Sequence, residues 1–366
     1  MSKWKEYKLG EIVEIKYGKD HKALPDGDIP VYGSGGIMRY ANRAIYNDES
    51  ILIPRKGSLN NIFYRNKPFW TVDTMFWTKI NKNEVFPKFL FYQLTTIDYT
   101  ILNVGSAVPS LTVPVINEID ILLPNIIEQK AIASVLSSID DKIDLLHRQN
   151  ATLEAMAETL FRQWFVEEAK EDWEVISFYD AIELVGGGTP KTSISEYWDG
   201  NIKWLSGGDI SKNHKSIIVS SEKTITKNGL KNSSAKLLPK YSTVISARGT
   251  VGKYCILSEP MTFSQSNYGI KPKYKDCYFF TYLLTNYSIE ELLTAAYGSV
   301  FDTITTDTFK GHLIALPKST FIEEFETTVK PYFLKILNNQ TQIRTLSTLR
   351  DTLLPKLMSG EVRVQM

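Results

Sequence analysis

The sequence predicts an α+β chain in which two repeated α/β units are separated by two long helices that form an antiparallel coiled coil with pseudo-twofold symmetry. Three observations carry this expectation. Trp4 to Pro124 is answered by Trp173 to Pro317, and Asn125 to Glu168 by Lys318 to Val364. The helical stretches align at one offset, 193, which carries Ile132, Leu136, Ile139, Ile143, Leu146, Asn150, Leu153, Ala157, Leu160 and Trp164 onto Phe325, Val329, Tyr332, Ile336, Asn339, Ile343, Leu346, Arg350, Leu353 and Leu357. Both series step by four and three residues in turn, the seam spacing of a coiled coil. Finally, 366 residues exceed the usual size of one hydrophobic core, and 43% hydrophobic with 23% charged residues is an ordinary globular composition. The expected boundaries are 1–124 and 171–317 for the globular units, with 125–170 and 318–366 for the helical segments.

Within each globular unit, short β-rich runs are broken by glycine and asparagine. Glu11-Ile-Val-Glu-Ile15 matches Ala181-Ile-Glu-Leu-Val185, and each is followed by a glycine turn. Ile29-Pro-Val-Tyr-Gly-Ser-Gly-Gly-Ile37 answers Ile202-Lys-Trp-Leu-Ser-Gly-Gly-Asp-Ile210. Ile51-Leu-Ile-Pro-Arg55-Lys56-Gly57-Ser58 answers Thr243-Val-Ile-Ser-Ala-Arg248-Gly249-Thr250, and Val104 to Ser110 answers Tyr297 to Thr303. The offset grows from 169 at the opening Trp to 192 at the strand before Arg248, so the second unit gains 23 residues. Added length beside a repeated core suits loops varied to read a different target.

A net charge of +1 conceals two basic stretches. From Asn201 to Lys253 ten cations face Asp209 and Glu222, a balance of +8; from Arg39 to Lys88 nine cations face four acids, a balance of +5. Positive charge in the same part of both units points to phosphate contact. A strand followed by Arg or Lys, Gly and a hydroxyl residue fits a close approach to phosphates or bases, because glycine admits the backbone and arginine supplies a bidentate fork. The candidate nucleic-acid contacts are therefore Arg39, Arg55, Lys56, Asn60 and Asn61 in the first unit. In the second they are Lys203, Ser206, Arg248, Lys253, Gln265 and Asn267. The Ser-Gly-Gly turns match neither the P-loop nor the dinucleotide pattern and read as structural turns.

Asn125 with Glu128, and Thr320 with Glu323, have the form of capping boxes that open the two long helices. Each helix then runs about 40 residues, roughly 60 Å. Asn150 and Asn339 fall on the seam, where a polar residue fixes register at some cost in stability. Phe161, Trp164 and Phe165 crowd the end of the first helix and read either as core or, the preferred expectation, as a docking face for another protein.

Chemistry is absent from the pattern. His21, His147, His214 and His312 have neither metal-ligand spacing nor a neighbouring nucleophile, so no catalytic or metal-binding residue is expected. No Pro-Pro dipeptide occurs, which removes the loop that amino-group DNA methyltransferases place over a flipped base. Cys255 and Cys277 are expected to be reduced and buried. The start of the chain lacks the apolar run of a secretory signal, and no apolar stretch reaches the about 18 residues of a membrane span, so a cytoplasmic location is expected.

Glu128-Gln-Lys-Ala-Ile-Ala-Ser-Val-Leu-Ser-Ser-Ile-Asp-Asp-Lys-Ile-Asp144, Leu160-Phe-Arg-Gln-Trp-Phe-Val166 and Leu353-Leu-Pro-Lys-Leu-Met-Ser-Gly-Glu-Val362 resemble the helical regions of the specificity subunit of type I restriction-modification systems. The resemblance covers essentially the whole chain in order, specific in the helices and weak in the globular units. It implies that 1–124 and 171–317 are target recognition domains, each reading one half of a split, asymmetric double-stranded DNA target. It implies that the helices act as a ruler for the unread spacer. It further implies two modification subunits that bind S-adenosylmethionine and methylate adenine, restriction subunits that use ATP and magnesium, and no cofactor in this chain. Two other classes stand beside it: a coiled-coil scaffold with two heads that do not bind DNA, and an enzyme whose motifs are unfamiliar.

Overall fold

Ser50-Ile-Leu-Ile-Pro54 and Thr243-Val-Ile-Ser246 do not alternate apolar with polar, the mark of a strand covered on both faces. In the computed structural model each is fully buried and lies inside the main sheet of its unit. The structure describes residues 4–297 and 302–364. The chain divides into unit 1, Met1–Lys142 with Leu346–Met366, and unit 2, Ile143–Thr345.

Unit 1 runs β1 Lys5–Lys8, α1 Leu9–Ile12, β2 Val13–Tyr17, β3 Ile29–Gly33, β4 Gly36–Ala41, β5 Ser50–Pro54 and β6 Phe63–Arg65. It continues through β7 Trp70–Thr71, β8 Met75–Ile80, α2 Pro87–Thr95, α3 Val113–Asn117 and β9 Asp120–Leu123. The first long helix, α4, is Ile126–Arg162 and ends in a π turn at Gln163–Glu167. Unit 2 follows with β10 Glu174–Ser177, α5 Phe178–Ala181, β11 Ile182–Gly186, β12 Trp198–Leu205, α6 Gly207–Lys212, β13 Ile217–Ile218 and β14 Lys223–Ile225. Then come α7 Lys227–Lys231, β15 Thr243–Ser246, β16 Tyr254–Leu257, β17 Thr262–Phe263, β18 Asn267–Pro272, α8 Tyr278–Tyr297, α9 Thr306–Gly311 and β19 Leu313–Leu316. The second long helix, α10, is Ser319–Met358.

Strand pairing repeats in both units, except that β13 extends the main sheet of unit 2. The main sheets have the orders β2-β8-β5-β6 and β11-β18-β15-β16-β13, and the small sheets β4-β3-β7 and β14-β12-β17. Val31 pairs in parallel with Trp70 as Trp204 does with Thr262, and β1 pairs with β9 as β10 does with β19. The matched Gly298 to Phe301 lie outside the described residues.

The units part company after β3 and β12. In unit 1 Ser34 and Gly35 close a two-residue hairpin, and Gly36 has φ +112°, a value open to glycine. In unit 2 Ser206 and Asp209 stand where unit 1 has Gly33 and Gly36, and they form a capping box that starts α6. The Asp209 carboxylate also accepts from the Glu222 amide at 3.0 Å, so it ties both ends of the excursion from Ser206 to Glu222 before β14 returns to pair with β12. Two substitutions in an otherwise matched turn thus separate a hairpin from a helix, and 11 of the 23 added residues lie here, the offset rising from 173 at Val31 and Trp204 to 184 at their partners Arg39 and Lys223.

The Asn125 side chain accepts from the Glu128 amide at 3.0 Å, capping α4, while the Glu128 carboxylate lies 3.5 Å from Arg363. The helix α10 starts at Ser319, so Thr320 lies within its first turn and is not the N-cap that the Thr320–Glu323 spacing suggested. Ile132 and Leu136 join Leu357 and Met358 in the core of unit 1, where Asp140 also meets Arg350 at 3.1 Å. In unit 2 Ala157 and Phe161 join Phe325 and Val329, and Asn150 accepts from Asn339 at 2.9 Å. Low numbers on α4 meet high numbers on α10 throughout, the antiparallel order. Ile139, Ile143, Ile336 and Ile343 are buried, whereas Leu153, Leu160, Leu346 and Leu353 are partly buried.

Phe161 and Phe165 are buried and Trp164 is partly buried; their rings pack against Phe280, Phe321 and Phe325. This corrects the docking-face expectation. The aromatic end of α4 turns inward because α10 and α8 cover it, burying area worth about 1.5–3 kcal/mol per large side chain.

Each long helix also caps a short one in its own unit. Gln129 accepts from the Phe86 amide ahead of α2 at 2.7 Å, and Glu326 accepts from the Phe279 and Phe280 amides of α8 at 3.2 and 2.8 Å. Burial pushes the Glu326 carboxyl up to about 7, against the pull of those amides, and burial with Glu158 nearby pushes Glu154 up to about 7. A folded value above the unfolded one means that folding favours the protonated form. The stabilisation is complete below the ordinary carboxylate range and is lost as pH rises through 7. Unit 2 is therefore expected to lose stability between pH 5 and 8 by on the order of 2 kcal/mol for Glu326. Glu326→Gln should reduce that slope in thermal melts at stepped pH.

Asn339 is fully buried, its side-chain oxygen lacks a partner and its amide donates to Asn150, so the Asn pair is costly to split. Asn339→Leu alone is expected to destabilise by about 1–3 kcal/mol, because Asn150 then loses its buried partner. Adding Asn150→Leu should recover most of the loss, which a four-corner melting comparison reads directly.

Candidate nucleic-acid interface

Three loops converge at one end of the small sheet in each unit, and the same main-chain hydrogen bonds hold them. The Arg55 and Lys56 amides donate to Thr74 O at 2.8 and 3.3 Å, as Ala247 and Arg248 donate to Ser266 O at 2.9 and 3.2 Å. Val72 donates to Tyr32 O as Ser264 does to Leu205 O, and Leu111 to Arg55 O as Ile304 does to Ala247 O. The positional counterpart of Arg248 is therefore Lys56, with Arg55 standing where unit 2 has Ala247. Gly57 at φ +91° and Gly249 at φ +78° make the same left-handed turn, which explains why Gly follows the cation in both sequences.

Lys56, Arg248 and Gln265 are exposed at these turns. Among the described residues, the Lys56 and Arg248 side chains make no ion pair. Arg55 is partly buried, its guanidinium donating to Asp73 O at 3.1 Å and lying 5.5 Å from the half-exposed Tyr17 ring. Asn61 donates to Ser34 O at 3.0 Å, linking this turn to the β3–β4 hairpin. An open cleft of about 700 Å³ runs beside the hairpin, lined by Asp20, His21, Lys22, Ser34, Gly35, Met38, Asp73 and Thr74 among others.

Unit 2 gathers hydroxyls in the same place. Ser246 Oγ and Thr250 Oγ1 are 2.9 Å apart, Thr250 donates to Gly207 O at 3.2 Å, and Ser264 and Ser266 are 2.8 Å apart. Sequence reasoning marked Thr250 as the hydroxyl after Arg248-Gly249 but missed Ser246, Ser264 and Ser266; the signal was their spacing around Arg248 and Gln265. It also missed His21, Lys22 and Met38, which no motif marks.

Several candidates are otherwise engaged. The Arg39 guanidinium donates to Asp26 at 2.6 Å, Leu24 O at 3.0 Å and His21 O at 3.5 Å, so it clamps the loop ahead of β3 instead of facing a ligand. Lys203 is paired with Glu259 at 2.7 Å and one-fifth exposed. Asn60 donates to Asp98 at 3.2 Å and accepts from Tyr99 N at 2.9 Å, fixing its own loop. Ser206 is spent on capping α6. Asn267 is buried, donating to Ser264 at 2.7 Å, so it supports the turn from beneath and presents no edge to a base. Lys253 is partly buried near His214, whose imidazole is lowered by burial and by that lysine.

Among the described residues no group of three or more His, Cys, Asp or Glu is placed to hold a metal ion, and no helix is long and apolar enough to cross a membrane. Cys255 and Cys277 are free and buried, and burial pushes Cys277 up to about 12.

The profile of the type I restriction modification DNA specificity domain matches residues 1–155 and 170–344. The chain belongs to this family. It is 25% identical to the type I restriction enzyme MjaIX specificity subunit of Methanocaldococcus jannaschii over 99% of this chain and 94% of that protein. It is 24% identical to the HindI specificity subunit of Haemophilus influenzae over 99% of this chain and all of that protein (100%). The fold is that of the S subunit of a type I restriction-modification system from M. genitalium, with a TM-score of 0.69 over 99% of this chain and 96% of that one at 17% identity. Membership makes the chain a specificity subunit, the sequence-specific and non-catalytic DNA recognition component of a restriction-modification complex.

Lys56→Ala and Arg248→Ala, both at exposed turns, are expected to weaken DNA binding by the assembled complex about tenfold each with little change in melting temperature. Each should also reduce the slope of log affinity against log salt by about 1 if the cation meets a phosphate, which a salt titration of binding measures.

Proposed function

We propose that this specificity subunit reads a split, asymmetric target in double-stranded DNA and so directs methylation and restriction by partner subunits in the cytoplasm. Residues 1–124 and 171–317 each read one half, and the helical segments 125–170 and 318–366 set the unread spacer. Two modification subunits bring S-adenosylmethionine and methylate adenine, and restriction subunits bring ATP and magnesium. One observation carries the reading. The same three-loop arrangement occurs in both units with the same main-chain hydrogen bonds, yet the side chains it exposes differ, Lys56 beside a hairpin in one and Arg248 with Gln265 beside a helix in the other. Two like scaffolds with unlike exposed groups suit two unlike half-sites.

The helices support the ruler because α4 and α10 run unbroken from one unit into the other. Two readers joined by one helical spacer gain through effective concentration, so either half alone binds poorly and a correctly spaced pair binds well. Co-expression of the full chain with a modification subunit, followed by sequencing of methylated adenine, should return two short motifs around a fixed gap. One added heptad in each helix keeps the seam in phase and adds about 10 Å, so the gap should grow by about three base pairs. A contiguous motif, or a gap that ignores the insertion, would remove the ruler.

A further inference from the structure

The β3–β4 hairpin of unit 1 leaves Ile37, Met38 and Tyr40 about half or more exposed, at 50%, 59% and 50%. The fold does not require this. The strand that occupies the same place in unit 2, β14, reads Lys223-Thr-Ile225, with an exposed lysine, a partly buried threonine and a buried isoleucine. The apolar groups therefore belong to what unit 1 presents, not to what the sheet needs. They lie on an edge strand, in the order β4-β3-β7. The hairpin tip is bare: a Cβ on Gly35 or Gly36 would meet nothing within 4 Å.

The surroundings say what covers this ribbon. Lys22 lines the cleft that Met38, Ser34 and Gly35 share, and the Lys56 turn lies against the tip, where a Cβ on Gly57 would come 2.9 Å from Ser34 Oγ. Asp20 and Asp73 also line the cleft; the Asp20 carboxylate accepts from the Lys22 amide at 3.1 Å, and the Asp73 carbonyl holds Arg55. A narrow two-stranded ribbon with apolar side chains at its tip and lysines at its flanks fits the major groove, which admits such a ribbon between two rows of phosphates. Apolar side chains there meet the 5-methyl group of thymine, and methionine adapts to its outline.

We propose that the β3–β4 hairpin is the base-reading element of unit 1, with Ile37 and Met38 contacting thymine methyl groups of one half-site and Lys22 and Lys56 meeting the flanking phosphates. This rests on the proposed reading of split DNA by the two units. The test uses the full chain assembled with a modification subunit and duplexes carrying the motif that the complex methylates. Deoxyuridine, which lacks only the methyl group, replaces each thymine in turn on either strand. Wild type should lose roughly three- to tenfold in affinity at one or two positions of one half. Ile37→Ser with Met38→Ser should erase that sensitivity and relax the methylated motif at those positions, leaving the other half unchanged. Both side chains are exposed, so the melting temperature should hold; were the variant to misfold, the deoxyuridine series on wild type decides alone. Insensitivity of every thymine to methyl loss, a half-site without thymine, or a folded variant with the wild-type motif and sensitivity overturns the proposal while two-headed DNA reading stands. A wild-type complex that methylates no split motif overturns both.

Discussion

The apolar stripe of α4 needs a partner along its length, and α10 supplies it from the far end of the sequence. Ile132 and Leu136 meet Leu357 and Met358 in one unit, while Ala157 and Phe161 meet Phe325 and Val329 in the other. Neither core closes without both helices. Unit 1 consequently contains both ends of the described chain, and its contacts carry a high loop-closure cost during folding. The polar groups on this seam answer the same constraint. An apolar stripe with a four-three step tolerates sliding by a heptad, whereas the buried Asn150–Asn339 bond and the Asp140–Arg350 pair are satisfied in one register only.

Because the helices fix the core, the loops at the sheet ends are free to differ. The change from hairpin to helix after β3 and β12 rests on Gly33 and Gly36 against Ser206 and Asp209. A glycine at φ +112° permits an immediate reversal, while a hydroxyl and a carboxylate three residues apart satisfy the first amides of a helix and favour its start. Asp209 then receives the Glu222 amide as well, so one carboxylate starts the excursion and anchors its return. The main sheet gains β13 at its edge and is otherwise unaffected.

What could be read from the sequence was what repeats. The repeated order of the β-rich runs, the seam, and the placing of the Arg-Gly and Ser-Gly-Gly turns follow from offsets that survive duplication, and the structure brings those two turns together in each unit; which strands pair was not legible. What could not be read depends on partners distant in sequence. Nothing local says that Arg39 closes on Asp26, or that Lys203 meets Glu259. Phe161, Trp164 and Phe165 look alike as a docking face or as core until α8 and α10 are placed over them. The exposed Ile37 and Met38 were invisible because alternation in a short strand does not show which face is covered, and β4 is an edge.

Charge explains why such a chain works as part of a complex. Ten cations stand between Asn201 and Lys253, but Lys203 is neutralised by Glu259, and others are spread over α6, α7 and the turns between. Counterion release rewards only cations that reach phosphates, so a net charge of +1 with few free cations at each turn gives limited grip to either unit alone. Limited grip is useful for specificity. On the proposed split-target reading, a subunit that held any duplex tightly would gain little from a second reader, whereas two weak readers would add their discrimination and bind firmly only where both halves and the gap agree. Separation of duties follows from the same structure. The exposed Ile37 and Met38 of the unit 1 hairpin stand on an edge strand, whereas the excursion of unit 2 is tied to α10, where the Arg344 guanidinium donates to Val219 O at 3.3 Å. On the proposed reading, the half-site met by unit 1 could then be altered through the hairpin without rebuilding the helical seam.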